Sequence, residues 1–208
     1  ALKMIMHDKT VIIIENHYLG AIIDKFQFDT FYHEHPRTYS YSSFKFIAKS
    51  LGLEILKIEF VKRYGGNIRV FLGNGLPTNT QVEESDFSEK FSRLRQELLT
   101  WKISAKKLIS DLNLKYGPLR AKAFPGRAAI LIKLLELDES HISAVYEIKG
   151  SIKVGHYAPG TRIPIVPEVE LFKLDKTIPI LNLAWHIPQE VRANLLSHGY
   201  TGTVYDIK

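Results

Sequence analysis

The sequence predicts an α/β fold made of two parts that one long helix joins. Three observations support it: a β-branched run near the start, an uninterrupted helical segment in the middle, and alternating short strands and helices after residue 118. The two predicted parts are residues 1–80 and 118–208, and the linking helix is predicted in residues 81–117. A chain of 208 residues is long enough for one large domain or for two small ones with a core each.

The run Thr10–Glu15 is short, continuous and β-branched. This pattern is typical of a strand buried on both faces, as in a parallel sheet. Such a strand needs neighbours, so we expect that it pairs with later strands or that the chain begins partway through a domain. A helix over residues 42–51 follows from the spacing of its apolar residues, with Ser42 or Ser43 as N-cap and Gly52 as the C-terminal stop.

Residues 53–60 and 68–72 alternate in hydrophobicity around the turn signal Tyr64-Gly65-Gly66-Asn67, which predicts an antiparallel hairpin. Residues 83–113 contain neither Pro nor Gly, and their apolar residues recur every three or four positions. One long amphipathic helix is predicted there. Core packing explains its aromatic residues better than ligand binding does.

After residue 118 the pattern changes to short strands separated by helices. The strands are predicted near residues 119–124, 142–146, 178–183 and 202–206, and the helices near 127–137, 168–173 and 189–197. Strands that alternate with helices imply right-handed βαβ units and an open parallel sheet.

The composition, with 45% hydrophobic and 24% charged residues, is that of an ordinary soluble globular protein. No apolar run is long enough to span a membrane. The absence of Cys excludes disulfides and thiolate zinc sites and suits a cytoplasmic protein. The net charge of +6 favours anionic partners, either nucleic acid or phosphorylated small molecules. The basic residues are spread along the chain, which argues against nucleic acid.

The segment Tyr32-His33-Glu34-His35 concentrates titratable side chains in four residues. It has three possible explanations: a solvated polar loop, an H-x-H metal pair that needs further ligands, or acid/base machinery built on a near-neutral imidazole. If the segment is extended, Tyr32 and Glu34 point one way and the two His side chains the other. A turn would break that rule.

Several motifs, taken in order, resemble the S-adenosylmethionine-dependent sugar C-methyltransferases, which act on nucleotide-linked keto-deoxysugars. They are Phe28–His35, Gly52-Leu53, Tyr64–Val70, Pro125–Ala128, Tyr146–Ser151, Lys153, Gly155, Pro159–Thr161, Ile163–Ile165 and Ala184–His186. The resemblance runs through nearly the whole chain.

The resemblance implies the C-terminal part of a class I methyltransferase sheet with an antiparallel hairpin edge, a long connecting helix, and a Rossmann-like parallel-sheet domain. Members of the family also have a Cys-rich zinc module and a glycine-rich loop that holds S-adenosylmethionine. Neither occurs in this sequence, so we expect the chain by itself to lack donor binding and activity. Ala123 stands where the family tends to have a glycine-containing turn.

For the site, the resemblance implies His35 as the base that removes a proton next to the sugar ketone, with Tyr32 and Glu34 contacting or orienting the sugar. His33 is a further candidate for substrate binding. Candidates for the phosphates of a nucleotide-linked keto-sugar are Arg69, Arg127, Lys153 and Arg162. A surface ion pair is the competing explanation for each.

Two other functions compete with C-methylation. One is a non-catalytic module that binds a sugar nucleotide or a dinucleotide through the C-terminal βαβ units. The other, weaker one is nucleic-acid binding through the basic surface. No metal site is predicted.

Overall fold

Two β-sheets of different type organise the protein. The computed structural model describes residues 2–208, apart from the side chain of Tyr64. The chain divides into a first unit, Ala1–Gln96, and a second unit, Glu97–Lys208. The first contains a three-stranded antiparallel sheet and the second a five-stranded parallel sheet. The predicted α/β class is confirmed, while the boundaries at residues 80 and 117 stay a prediction.

The elements of the first unit are helix α1 (Leu2–Ile5), strand β1 (Ile12–His17), helix α2 (Leu19–Asp24), helix α3 (Tyr41–Leu51) and strands β2 (Glu54–Val61) and β3 (Asn67–Gly73). Helix α4 (Phe87–Tyr116) begins in the first unit and ends in the second. The later elements are β4 (Leu119–Lys122), α5 (Ala128–Leu135), β5 (Ile142–Glu147), β6 (Ile165–Pro167), α6 (Glu168–Leu171), β7 (Ile180–Asn182), α7 (Pro188–Ser197) and β8 (Val204–Asp206).

Strand β1 lies at one edge of the antiparallel sheet, with β3 in the centre and β2 at the other edge. Ile12 and Ile14 pack against the core, whereas Ile13 is 58% exposed. The expectation of a strand buried on both faces is therefore wrong. The reason is that β1 pairs antiparallel with β3, and antiparallel sheets commonly bury one face only. That this strand pairs with later strands, and that β2 and β3 form an antiparallel hairpin, is confirmed.

Helix α3 packs its buried side chains against the apolar face of this sheet. It begins at Tyr41 because Ser40, rather than Ser42 or Ser43, is the N-cap. The Ser40 hydroxyl accepts a hydrogen bond from the Ser43 N–H at 3.1 Å, and the Ser43 hydroxyl accepts one from the Ser40 N–H at 3.3 Å. This reciprocal pair is a capping box. Gly52 ends the helix in the left-handed region, with φ 74°, as predicted.

A carboxylate from the segment after β3 binds the N-terminus of α3. Glu84 accepts hydrogen bonds from the N–H groups of Tyr41 (2.7 Å) and Ser42 (2.9 Å), and from the hydroxyls of Ser42 (2.7 Å) and Tyr18 (3.1 Å). The first turn of a helix carries the positive end of its dipole, which favours an anion there. Burial alone would raise the pKa of Glu84, but these hydrogen bonds outweigh it and lower the pKa. The pKa of Tyr18 is raised, mainly by its burial and next by the neighbouring Glu84 carboxylate.

The parallel sheet of the second unit has the strand order β6-β5-β4-β7-β8. The chain crosses from one side of β4 to the other between β6 and β7. This reversal is a topological switch point, and open α/β sheets bind ligands there, outside the carboxyl ends of the strands. The predicted Rossmann-like sheet is confirmed. Strand β6 is not predicted from the sequence, because Pro164 precedes it and Pro167 ends it, and prolines argue against a strand.

Helix α4 runs three residues past its predicted end, to Tyr116, and stops before Gly117, whose φ is 72°. Leu94, Ala105 and Ile109 are buried, whereas Ile103 is 72% exposed. The helix is therefore amphipathic, as predicted. Among residues 2–208, no helix combines the length and the apolar character needed to cross a membrane.

The turn after β4 places a residue other than glycine in the left-handed region. Ala123 has φ 64°, and its N–H donates to the carbonyl of Tyr146 at 2.9 Å. A left-handed conformation brings the Cβ of an L-residue close to the following carbonyl oxygen. The backbone at this position thus has the conformation that glycine adopts most easily, although the residue is Ala.

We expect the substitution Ala123→Gly to stabilise the second unit by up to about 1.5 kcal/mol. It relieves about 1–2 kcal/mol of left-handed strain and adds about 0.4–1 kcal/mol of chain entropy to the unfolded state. Both tryptophans, Trp101 and Trp185, lie in the second unit, so urea unfolding followed by Trp fluorescence measures the effect. Ala121→Gly is the control, since buried Ala121 in β4 has no such strain and its loss should destabilise. Equal destabilisation by both variants would contradict the account of Ala123.

For the Glu84 contact, we expect Glu84→Gln to lower the free energy of unfolding by about 1–2 kcal/mol at pH 7, allowing for solvent screening. The folded-state pKa of Glu84 lies below its unfolded value. Its contribution is therefore complete above the unfolded pKa of about 4.3 and is lost as the pH falls through the folded pKa.

Urea unfolding followed by circular dichroism at pH 7 and at pH 3 tests this expectation. The difference between wild type and Glu84→Gln should shrink at pH 3. Glu54→Gln removes the same charge from an exposed strand position and should change the unfolding free energy little at either pH. A Glu84→Gln effect that is the same at both pH values would refute the charged-cap explanation.

Candidate functional site

The Tyr32–His35 segment of the first unit forms a turn. A one-turn 3-10 helix, Phe28–Thr30, comes first and buries Asp29 and Thr30 almost completely. The chain then reverses, and the N–H of His35 donates to the carbonyl of Tyr32 at 2.8 Å. The extended arrangement considered for this segment, with the two His side chains on one face, is therefore wrong. Pro36 restricts only the residue before it, so it leaves the turn at Tyr32–Glu34 free to form.

The phenol of Tyr32 is at the centre of this turn. Its hydroxyl donates to the Glu34 carboxylate at 2.8 Å. Its ring meets the rings of His33 and His35 edge to face, with centroids 5.6 Å and 5.1 Å away. Tyr32 is half-buried, whereas His33, Glu34 and His35 are exposed. The structure thus brings together all four residues that the sequence singled out, around a carboxylate-bound phenol.

The cluster includes one residue that the sequence does not predict. His17, the last residue of β1, stacks on the ring of His35 with a centroid distance of 5.3 Å and an interplanar angle of 27°. His17 pairs with Asn67 of β3 in the ladder. The signal that could have identified it is the polar run Glu15-Asn16-His17 at the end of an otherwise apolar strand.

Arg69 lies in a row of ionic side chains across the antiparallel sheet. In the ladder it pairs with Glu15 on β1 and Glu59 on β2. Its guanidinium donates to Glu15 at 2.6 and 2.9 Å and to Glu59 at 2.9 Å. Hydrogen bonds from Asn67 and then from Arg69 lower the pKa of Glu15. Ion pairs with two carboxylates compensate the charge that Arg69 would offer to a phosphate.

A surface cleft of about 610 Å³ begins just after the turn. Its lining residues are Arg37, Thr38, Tyr39, Ser43, Phe46 and Ile47. Residues 32–35 do not line this cleft; they project from the turn itself.

Two of the remaining candidates, Arg127 and Lys153, lie at the carboxyl edge of the parallel sheet. Buried Arg127 places its guanidinium 5.2 Å from the ring centre of Trp185. The ammonium of Lys153 donates to the carbonyl of Phe124 at 2.6 Å. Arg127 belongs to the turn that follows β4, and the side chain of Lys153, which lies in the loop between β5 and β6, reaches the same turn.

Arg162 lies elsewhere. It is exposed, and its backbone N–H donates to Glu139 at 3.2 Å. Glu139 precedes β5 and Arg162 precedes β6, so both lie near the amino ends of these parallel strands. The structure therefore does not bring Arg162 to the edge at which Arg127 and Lys153 lie.

Two buried charged residues of this edge were also missed. Lys122, 2% exposed at the end of β4, forms an ion pair with Glu168 at the start of α6. The Glu147 carboxylate accepts hydrogen bonds from the N–H groups of Phe124 (2.6 Å) and Ile148 (3.1 Å). These contacts fix the loops that leave β4 and β5. The sequence signal for them is a charged residue at the end of an otherwise apolar strand.

The comparison with known proteins bears on residues 64–204 of the chain. The family model of the C-methyltransferase C-terminal domain matches residues 64–204, which is more than half of the chain. The chain belongs to this C-methyltransferase family. Its general chemistry is therefore methyl transfer. No individually curated protein sequence matches it.

The family match covers Arg69, Arg127, Lys153 and Arg162 of this C-methyltransferase and begins after the Tyr32–His35 turn. The family relationship suggests S-adenosylmethionine as the methyl donor. The connection from β1 to α2 is Tyr18 alone, and the connection from β4 to α5, residues 123–127, contains one glycine, Gly126. Neither is a glycine-rich loop that would hold this donor. No described residue of this chain is assigned to the donor.

Metal ligation is a separate question for the same cluster. Within residues 2–208, no group of three or more His, Asp or Glu side chains is placed to hold a metal ion. The contacts of His35 that the structure shows are with the rings of His17 and Tyr32.

We expect Glu168→Gln to destabilise the second unit by about 3 kcal/mol, because it leaves the buried ammonium of Lys122 without its counter-charge. Lys122→Met replaces the cation by an apolar chain of similar length and should cost much less, about 1 kcal/mol. Urea unfolding followed by Trp fluorescence measures both variants. If Lys122→Met proves as damaging as Glu168→Gln, the unpaired charge is not the cause.

Proposed function

We propose that this C-methyltransferase acts on the carbon next to the ketone of a nucleotide-linked deoxysugar, with His35 as the base. The observation that carries the proposal is the exposed imidazole of His35, held between the rings of His17 and Tyr32 in a turn that also presents a carboxylate. An imidazole is the side chain best suited to accept a proton near neutral pH.

The proposed step forms an enolate. A ring nitrogen of His35 takes the proton, the C–H bond breaks, and its electron pair moves through the carbon–carbon bond to the ketone oxygen. The enolate carbon is then the nucleophile for the methyl group, which S-adenosylmethionine supplies when bound. Such a step requires a hydrogen-bond donor for the developing oxyanion.

Tyr32 is the proposed donor for that oxyanion. Its hydroxyl donates to Glu34 at 2.8 Å in the free protein, and it can rotate to donate to a substrate oxygen instead. Glu34 would then accept a hydrogen bond from a sugar hydroxyl or keep the phenol oriented. His33, exposed on the same turn, is proposed to contact the sugar.

We expect His35→Ala to slow the exchange of the sugar's α-proton with deuterium by a factor of about 100 or more. Exchange in D₂O of a nucleotide-linked keto-deoxysugar, followed by NMR, measures the proton transfer without a methyl donor. His7→Ala, an exposed imidazole remote in sequence, is the control. A wild-type protein that releases no α-proton, or a His35→Ala variant with the wild-type rate, would contradict the proposal.

A second candidate, binding of a nucleotide-linked ligand without chemistry, is supported by the carboxyl edge of the parallel sheet in the second unit. There Arg127 and Lys153 lie at the switch point that open α/β sheets use for ligands. Arg69 and Arg162 are weaker candidates, because the first is paired with two carboxylates and the second lies near the amino ends of the strands. Nucleotide binding that is unchanged in His35→Ala, in a protein with no α-proton exchange, would favour this function.

A further inference from the structure

The ring of His35 rests on a residue that belongs to the sheet. His17 and His35 stack with centroids 5.3 Å apart and planes inclined by 27°, while Tyr32 closes on His35 at 82° from another side. His35 therefore contacts one ring face to face and a second ring edge on. Both geometries are among those that aromatic pairs prefer.

The two stacked rings have very different supports. His35 lies in a solvent-exposed turn with its backbone held to Tyr32. His17 ends β1 and is half-buried, with its backbone in the ladder opposite Asn67. Asn67 is itself buried and donates to Glu15 at 2.8 Å, and Glu15 is bound by Arg69. A solvent-exposed turn is thus attached to a sheet position that neighbouring strands fix.

We propose that His17 is a positioning residue for His35: its ring holds the imidazole of His35 in the orientation in which it meets the substrate. The inference rests on the proposed role of His35 as base. His17 acts through the π-face of its ring, which also stabilises the imidazolium that His35 becomes on taking a proton. A small misplacement of a catalytic group lowers the rate far more than it lowers affinity.

The proposed role predicts different rates of α-proton exchange for different substitutions at His17. His17→Phe keeps an aromatic ring of similar size, so the stack and the rate of α-proton exchange should stay within about threefold of wild type. His17→Leu fills the space of the ring with an aliphatic side chain that has no π-face, and His17→Ala leaves that space empty. We expect both to lower the kcat of exchange by a factor of about 10–100, with KM nearly unchanged, since His17 does not touch the substrate.

NMR of the histidine side chains supplies a readout that is independent of activity. In wild type, nuclear Overhauser contacts between the rings of His17 and His35 are expected. Tyr32→Phe, which removes only the hydroxyl of Tyr32, should keep these contacts. His17→Phe should show equivalent contacts between the substituted ring and His35. In His17→Leu and His17→Ala the ring of His35 should become more mobile, with unchanged thermal unfolding in at least the Leu variant.

The outcomes distinguish this inference from the proposed function. Ring contacts without any α-proton exchange in wild type would disprove the function of His35 and leave the stack as observed. Absence of ring contacts in wild type would overturn the inference whatever the activity. A His17→Leu variant with wild-type kcat and an equally ordered His35 ring would also overturn it, as would a His17→Phe variant that is as slow as His17→Ala.

Discussion

The alternation of side chains across the antiparallel sheet of β1, β3 and β2 is the constraint on which the first unit depends. Neighbouring residues in a strand face opposite ways. One face therefore presents Ile14, Val70 and their neighbours to α3. The opposite face carries the ionic row of Glu15, Arg69 and Glu59. Two residues further along β1, the same face carries His17 opposite Asn67. A one-residue slip in the register would exchange these two faces.

Because the register is fixed by burial on one face, the polar face is fixed as well. The position of His17, and through it the ring of His35, follows from hydrophobic contacts that lie on the far side of the sheet. On the polar face, the ion pairs of Arg69 join all three strands. Stability of the sheet and geometry of the proposed base are thus two consequences of one pairing pattern.

Much of the fold could be predicted from the sequence because its signals are local. The helix that Gly52 ends, the hairpin around Gly65 and Gly66, and the long helix α4 all show their periodicity within a few residues. The parallel sheet of the second unit follows from strands that alternate with helices. The predicted N-cap of α3, Ser42 or Ser43, lies two or three residues too late, since Ser40 offers an equally good side chain and only the structure selects it.

The rest depends on contacts between residues far apart in the chain. Burial of β1 on one face depends on pairing with β3, more than 50 residues later, and the ion pairs of Arg69 follow from the same pairing. The stack of His17 on His35 joins a strand to a turn, and neither segment by itself predicts this contact. The Tyr32–His35 cluster was found by its residue types, but its turn was not. In the second unit, Ala123 has a left-handed backbone conformation that its residue type does not predict.

The most direct test of the account is a crystal structure of this C-methyltransferase with a nucleotide-linked keto-deoxysugar. The account predicts that the carbon next to the ketone lies within about 3.5 Å of a ring nitrogen of His35, with the imidazole still stacked on His17. A well-ordered sugar whose ketone and neighbouring carbons contact neither His35 nor Tyr32 would contradict it.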